Sequence, residues 1–119
     1  MFVKKIGNEN IINFARFSQT IGTTIALTSL AKMVISPDTS LLHIAESVGT
    51  KSFGIYGPFP GRVRLSTYKN TEWIDCERNC GPCFKHGQNL CSNGSNGYPL
   101  CFDNIKYDEV FEKIERQLS

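Results

Sequence analysis

The stretch that decides the fold is MVISPDTSLLHIAESVGTKSFGIYG, which runs from Met33 to Gly57. It opens with a compact β-branched run, the form that a buried parallel strand takes. After Pro37, the segment SLLHIAESV has the pattern of a helix that closes at Gly49. A second short apolar segment, KSFGIYG, follows. This order predicts two parallel strands, about 33–36 and 51–56, joined through a helix at about 40–48 by a right-handed crossover.

The segments upstream extend the same alternation. IINFARF, from Ile11 to Phe17, alternates loosely and predicts a short strand, and TTIALTSLAKM predicts a helix of about three turns. The fold class predicted is therefore α/β, with a parallel sheet and flanking helices. Three parallel strands are few for a doubly wound domain, which usually has about five or six. We therefore expect residues 1–119 to form a single, incomplete domain that corresponds to the back half of such a fold.

The downstream part changes character. VRLSTY and TEWIDC are predicted to be short extended segments, and residues 76–101 form a Cys-rich irregular excursion with many Gly and Asn residues. YDEVFEKIERQL predicts a C-terminal helix, and its apolar residues are expected to pack on the core because they recur at helical spacing. These residues are Val110, Phe111, Ile114 and Leu118.

Composition excludes several classes of function. The net charge is only +2, which disfavours nucleic-acid binding by bulk charge. No run approaches the ~18 apolar residues of a membrane span. The first residues also lack the apolar region and cleavage site of a signal peptide. We therefore expect a cytoplasmic protein without a transmembrane segment.

The five cysteines all lie between Cys76 and Cys101. Their odd number and the absence of an export signal argue against a disulfide framework. A structural zinc site of four thiolates is one hypothesis, with Cys76 or His86 as alternative ligands. Reduced cysteines packed in a loop, or a redox or disulfide role, are the other interpretations, and no cofactor is predicted to be required. The candidate zinc ligands are Cys80, Cys83, Cys91 and Cys101.

The junction between the first predicted parallel strand and its helix is the candidate functional site. Ligands of open α/β sheets bind outside the carboxyl ends of the strands, where the loops PDTS and GPFPG should emerge side by side. Unpaired N–H groups at the helix start carry partial positive charge and can hold a phosphate. Asp38 is expected to cap the helix, and because a carboxylate opposes an anion, its role beside a phosphate would be to hold the loop or to meet a ligand hydroxyl. His43 lies one turn in. The candidate residues are Asp38, Thr39, Ser40, Leu41 and His43.

An ordinary helix start remains the alternative interpretation, because Pro-Asp-Thr-Ser begins many helices and no Gly-rich or Walker phosphate motif is present. Three basic residues follow the GPFPG loop, namely Arg62, Arg64 and Lys69. They are interpreted either as a solvated face or as contacts to an anionic acceptor or donor phosphate.

The segment LAKMVISPDTSLLHIAESVGTKSFGIYGP resembles the signature of glycosyltransferase family nine, the lipopolysaccharide heptosyltransferases. Their pattern is an apolar strand, D-[TS]-G-x-x-H-x-A, a helix that ends near Gly, a second strand and G-P. CGPCFKHGQNLC…YPLCFDNI also resembles the ending of heptosyltransferase II-like members, so the resemblance covers roughly residues 19–118. The positions in register are Asp38, Thr39, Ser40, His43, Ala45, Gly49, Gly57 and Pro58.

This resemblance implies two Rossmann-like domains that face each other across a cleft, in the GT-B type of glycosyltransferase fold. The C-terminal domain of such enzymes binds the nucleotide-sugar donor, typically ADP-heptose, and the acceptor is a lipid-linked saccharide. The D-[TS]-G turn holds the diphosphate, and the adenine side falls on Gln19 and Thr20 here. Ser40 stands where the family has Gly, whose lack of a Cβ allows close approach of a phosphate.

The resemblance also implies what this chain does not contain. The family's acidic catalytic base lies in an N-terminal domain that has no counterpart here, and any peripheral contact with the inner membrane would be made through that domain. We therefore expect the chain alone to have little or no transferase activity. The alternative is a non-catalytic, truncated nucleotide- or zinc-binding module.

Overall fold

The computed structural model describes residues 10–17, 20–76 and 100–119. This part of the chain contains short 3₁₀ helices at Phe14–Arg16 and Leu100–Asn104 in addition to the main elements. In chain order the main elements are α1 (Ile21–Leu30), β1 (Val34–Pro37), α2 (Ser40–Ser47), β2 (Ser52–Tyr56), α3 (Gly61–Leu65), β3 (Thr71–Asp75) and α4 (Tyr107–Leu118).

The three strands form one parallel sheet in the order β1-β2-β3. Val34 is paired with Ser52, and Ser52 is paired with Thr71 on its other side. Each of these residues opens its strand, so the three amino ends lie at one edge of the sheet and the three carboxyl ends at the other. The fold is thus α/β, a partial Rossmann-like parallel sheet with flanking helices, and the predicted β1-α2-β2 unit is confirmed.

Two predicted strands are wrong. Within Ile11–Phe17 the structure has the 3₁₀ helix Phe14–Arg16, whose preceding residue Asn13 accepts a hydrogen bond from the Ala15 N–H at 3.0 Å. VRLSTY instead contains the end of helix α3. This helix begins at Gly61, whose N–H donates to the carboxylate of Asp75. The third strand of the sheet is therefore β3, within TEWIDC, rather than the N-terminal segment.

The core lies between the sheet and helices α2 and α3. Leu42, Tyr56 and Leu65 are fully or almost fully buried, and the partly buried Trp73 packs against them. A Cβ added at Gly61 would lie 2.6 Å from the Trp73 ring, so only glycine lets α3 approach the sheet this closely. Gly49 ends α2 as predicted, with a positive φ of 75° that favours glycine.

Glu46 fixes the amino edge of the sheet. Its carboxylate accepts hydrogen bonds from the Lys69 N–H at 2.8 Å, the Asn70 N–H at 3.0 Å and the Thr71 hydroxyl at 3.1 Å. Burial acts to raise the pKa of Glu46, but the two backbone hydrogen bonds, the Thr71 hydroxyl and the Lys69 charge together lower the pKa below 4.5. Glu46 therefore ties the end of α2 to the start of β3 in its ionised form.

Further polar contacts reinforce this edge. The Thr50 hydroxyl donates to the Thr28 carbonyl at 2.9 Å, which ties the last turn of α1 to the residues before β2. The buried hydroxyls of Ser52 and Thr71 are hydrogen-bonded to each other at 2.8 Å. These contacts pair buried polar groups within the protein, so they stabilise the fold and leave little for a ligand to bind.

Helix α4 is correctly predicted, but the expectation that its apolar stripe packs in the core is wrong. None of its residues is buried, and Phe111 and Leu118 are 48% and 50% exposed. The helix is attached through its last turn instead. The Lys51 ammonium donates to the Gln117 carbonyl at 2.6 Å, and the Gln117 amide donates to the Ser52 carbonyl at 3.2 Å.

Within the described residues, no helix has the length and apolar character needed to cross a membrane. Most of the predicted Cys-rich excursion, residues 77–99, lies outside the described residues. At its ends, Cys76 is half-buried and Cys101 is buried.

Candidate functional site

The loops that follow β1 and β2 meet at the carboxyl edge of the sheet, as predicted. Arg64 connects them, because its Nε lies 3.3 Å from the Asp38 Oδ2 atom and its guanidinium carbon lies 4.8 Å from the centre of the Phe59 ring. Asp38 belongs to the loop after β1, and Phe59 belongs to the loop after β2. The segments PDTS and GPFPG therefore form one continuous surface beside the start of α2.

The start of α2 is capped by Thr39, so the prediction that Asp38 is the cap is wrong. Thr39 is the extended residue before the helix, with φ −142° and ψ 166°, and its Oγ1 accepts from the Leu41 N–H at 3.4 Å. The same Oγ1 atom is hydrogen-bonded to the Ser36 hydroxyl at 2.7 Å. Asp38, one residue earlier, is oriented toward Arg64 instead.

The start of α2 is exposed to solvent. Ser40 is exposed, and among the described residues the Leu41 amide donates to the Thr39 Oγ1 atom at 3.4 Å. The Leu42 amide donates to the Thr39 carbonyl at 3.3 Å, and Leu42 itself is fully buried. The Leu41 bond is longer than the usual N–H···O range, so this donor is only weakly engaged within the protein. The positive end of the helix dipole lies at the same place.

His43 lies one turn into α2 and is exposed. Its Nδ1 atom is hydrogen-bonded to the Tyr68 hydroxyl, and the two rings meet edge to face with centroids 5.7 Å apart. Nδ1 is therefore engaged within the protein, and Nε2 is the nitrogen that remains for a ligand.

Tyr56 ends β2 under this surface and is 1% exposed. Burial raises the pKa of Tyr56 to about 12, and the neighbouring Asp38 carboxylate contributes to the increase. Its hydroxyl forms no hydrogen bond of normal geometry within the described residues. The hydroxyl therefore stays protonated across the physiological range and is a donor close to Asp38.

Helix α1 also begins toward the carboxyl edge, since its last turn is bonded to Thr50 at the amino edge. Thr20 caps this helix by accepting from the Thr23 N–H at 3.1 Å, and the two hydroxyls are 2.9 Å apart. Gln19, the other predicted adenine-side residue, lies outside the described residues. Thr20 as an adenine contact stays a prediction.

The zinc hypothesis stays a prediction, because Cys80, Cys83 and Cys91 lie outside the described residues. Cys101, the fourth proposed ligand, is buried in the second 3₁₀ helix. Among the residues that the structure describes, no three His, Cys, Asp or Glu side chains are grouped closely enough to hold a metal ion.

The fold is a partial Rossmann-like α/β sheet, and the start of helix α2 forms a polar surface at the carboxyl edge of that sheet. Residues 19–92, more than half of the chain, match glycosyltransferase family 9 (heptosyltransferase). The chain therefore belongs to this family and is glycosyltransferase-like. No curated protein and no solved structure shows a significant match to it.

The pairing of Arg64 with Asp38 is the site feature that sequence reasoning left open. The two residues are far apart in the chain, and Arg64 was expected to be either solvated or in contact with an anion. A basic residue shortly after the GPFPG loop was the available signal, since parallel topology brings both loops to one edge.

Proposed function

We propose that this chain is the donor-binding portion of a glycosyltransferase that uses a nucleotide-diphosphate sugar of the ADP-heptose type. The observation that carries the proposal is the exposed start of α2 at the carboxyl edge of the parallel sheet. The diphosphate would bind the amides of Ser40 and Leu41, with the Thr39 and Ser40 hydroxyls beside them. His43 would add a contact through Nε2.

Membership of glycosyltransferase family 9 supports the sugar-transfer part of the proposal. In the intact enzyme the donor sugar, a heptose or a related sugar, would pass to a lipopolysaccharide-type acceptor. General-base help is worth roughly 10²–10⁴-fold in rate. The proposal assigns the base to another domain and therefore gives this chain donor binding rather than transfer.

Within the described part of the site, the acidic groups are already engaged. Asp38 pairs with Arg64, and Asp75 accepts hydrogen bonds from the Gly61 N–H and the Trp73 indole. Neither carboxylate is positioned as an unpaired base beside the first turn of α2, which agrees with a role confined to donor binding.

Calorimetric titration with ADP, ADP-heptose and UDP tests the proposal. ADP and ADP-heptose are expected to bind at millimolar concentration or below, and adenosine to bind more weakly because it lacks the diphosphate. Ser40→Asp is the decisive variant: an acidic residue in the first turn stabilises the helix by about 0.3–1 kcal/mol but repels a diphosphate. Its affinity for ADP should fall at least about tenfold, which is about 1.4 kcal/mol.

Ser47→Asp is the matched control, since it adds the same charge to an exposed position at the opposite end of α2. Seven residues of helix separate the two positions by about 10 Å, so the added charge should be largely screened. Equal losses in the two variants, or no binding of ADP to the unmodified chain at millimolar concentration, would refute the proposed diphosphate site.

A non-catalytic nucleotide- or zinc-binding module is the second candidate. It predicts nucleotide binding without any preference for the sugar-bearing donor over ADP. Native mass spectrometry measures zinc in the same sample, and a clearly substoichiometric amount of metal removes the zinc form of this candidate.

A further inference from the structure

We propose that Arg64 is a positioning residue of the donor site: it neutralises and holds Asp38, so that the start of α2 can accept a diphosphate. The inference rests on the proposed function and deepens it, because it explains how an acidic residue is tolerated beside an anion site.

The problem that Arg64 solves is electrostatic. Asp38 immediately precedes the cap residue Thr39, so its carboxylate lies within the first residues of the proposed site. An unpaired carboxylate at this distance repels an incoming diphosphate. Arg64 opposes that charge at 3.3 Å, and both side chains are 32% exposed, so solvent weakens the pair without removing it.

The position of Arg64 is itself fixed. Its guanidinium lies over the Phe59 ring at 4.8 Å, and α3, which carries it, begins where Asp75 accepts the Gly61 N–H. The buried Tyr56 hydroxyl also neighbours Asp38. Asp38 thus has a cation and a buried phenol as neighbours, and its carboxylate pairs with Arg64 rather than capping α2.

Arg62 provides a comparison on the same helix. It carries the same charge two residues away and is exposed, but the described ion pair of Asp38 is with Arg64. A general effect of positive charge on diphosphate binding would depend on both arginines to a similar extent. A positioning effect through Asp38 depends on Arg64 alone.

The test is a set of calorimetric titrations of the full chain with ADP and with adenosine. The variants are Arg64→Ala, Arg62→Ala, Asp38→Asn and the double variant Asp38→Asn with Arg64→Ala. Arg64→Ala should weaken ADP binding about tenfold, as expected for a newly unpaired charge near a diphosphate. Adenosine binding should change less than about twofold. ADP binding by Arg62→Ala should also change less than about twofold, because the described ion pair of Asp38 is with Arg64.

The double variant separates positioning from direct contact. If Arg64 acts through Asp38, removal of the carboxylate restores ADP affinity to within about twofold of the Asp38→Asn variant, because the repelling charge is gone. Arg64→Lys, which keeps the charge, should retain most of the affinity. These two variants also carry the test if Arg64→Ala fails to fold, as judged by circular dichroism.

Loss of ADP affinity in the double variant equal to that in Arg64→Ala would overturn the proposal, because it would mean that Arg64 acts on the ligand or the fold directly. An equal effect of Arg62→Ala would also overturn it. If the unmodified chain binds no ADP, the proposed function fails first and this inference fails with it. If the unmodified chain binds ADP and Arg64→Ala leaves that affinity unchanged, this inference is wrong and the proposed function is unaffected.

Discussion

The two edges of the sheet carry similar kinds of residue but use them differently. At the amino edge, Glu46 is bonded to Lys69, Asn70 and Thr71, and the Ser52 and Thr71 hydroxyls are bonded to each other. At the carboxyl edge, Ser40 is exposed, and the described hydrogen bond of the Leu41 amide is long. The Nδ1 atom of His43 contacts Tyr68, and its Nε2 atom has no described partner.

The difference shows how the same polar chemistry divides between stability and function. Polar groups that bond to one another within the protein stabilise the fold, because each replaces its hydrogen bonds to water with hydrogen bonds inside the protein. Polar groups left open at the end of parallel strands and the start of a helix are available to a ligand. Changes at the amino edge should therefore alter stability, and changes at the carboxyl edge should alter ligand binding.

Glu46→Ala should have the largest effect on stability. It removes three hydrogen bonds to a carboxylate and leaves the Lys69 and Asn70 amides without their acceptor, at a cost of about 2–3 kcal/mol. Urea denaturation followed by the fluorescence of Trp73, the only tryptophan in the chain, measures the free energy of unfolding. Glu112→Ala, at an exposed position of α4, is the control and should change it by less than about 0.5 kcal/mol. Equal effects of the two variants would show that Glu46 does not hold the amino edge.

The pH dependence of stability should be the next largest effect. Because the pKa of Glu46 is lower in the folded chain than its ordinary value of 4.5, its ionised form stabilises the fold fully above that value. This contribution is lost as the pH falls from 4.5 through the folded-state pKa. Urea denaturation at a series of pH values should show a smaller acid loss for Glu46→Gln than for the unmodified chain. Parallel profiles for the two proteins would contradict the assignment.

Ser40→Gly should have the smallest effect on stability, and it should strengthen ADP binding. It restores the residue that the family pattern has at this position, and the missing Cβ permits closer approach of a phosphate to the Leu41 amide. We expect tighter ADP binding, measured by calorimetry, and a loss of stability of about 0.5 kcal/mol from the added backbone freedom. Weaker ADP binding would mean that the Ser40 hydroxyl, rather than backbone approach, is the important contact.

The β1-α2-β2 unit could be predicted from sequence because its signals are local. The β-branched run before Pro37 and the positive φ of Gly49 depend on a few neighbouring residues. The same holds for α4, whose bounds were predicted from its apolar spacing. Whether α4 is buried could not be predicted in this way. The spacing of its apolar residues identifies an apolar face of the helix, but it does not identify what covers that face.

The errors arose where distant residues decide the local structure. VRLSTY was predicted to be a strand, but the Asp75 carboxylate caps Gly61 and starts α3 there. Asp38 was predicted to cap α2, but Arg64 attracts its carboxylate and Thr39 becomes the cap. In both cases the partner belongs to another helix or strand, Asp75 to β3 and Arg64 to α3, and sequence spacing alone does not identify it.

Amide chemical shifts during titration with ADP test the central claim most directly, because they report on both edges of the sheet in one experiment. In two-dimensional NMR spectra of the ¹⁵N-labelled chain, the amides of Ser40 and Leu41 should shift progressively with ADP and hardly with adenosine. The amides of Lys69 and Asn70, bonded to Glu46, should stay in place. Shifts confined to the amino edge, or an unchanged spectrum at millimolar ADP, would contradict a diphosphate site at the start of α2.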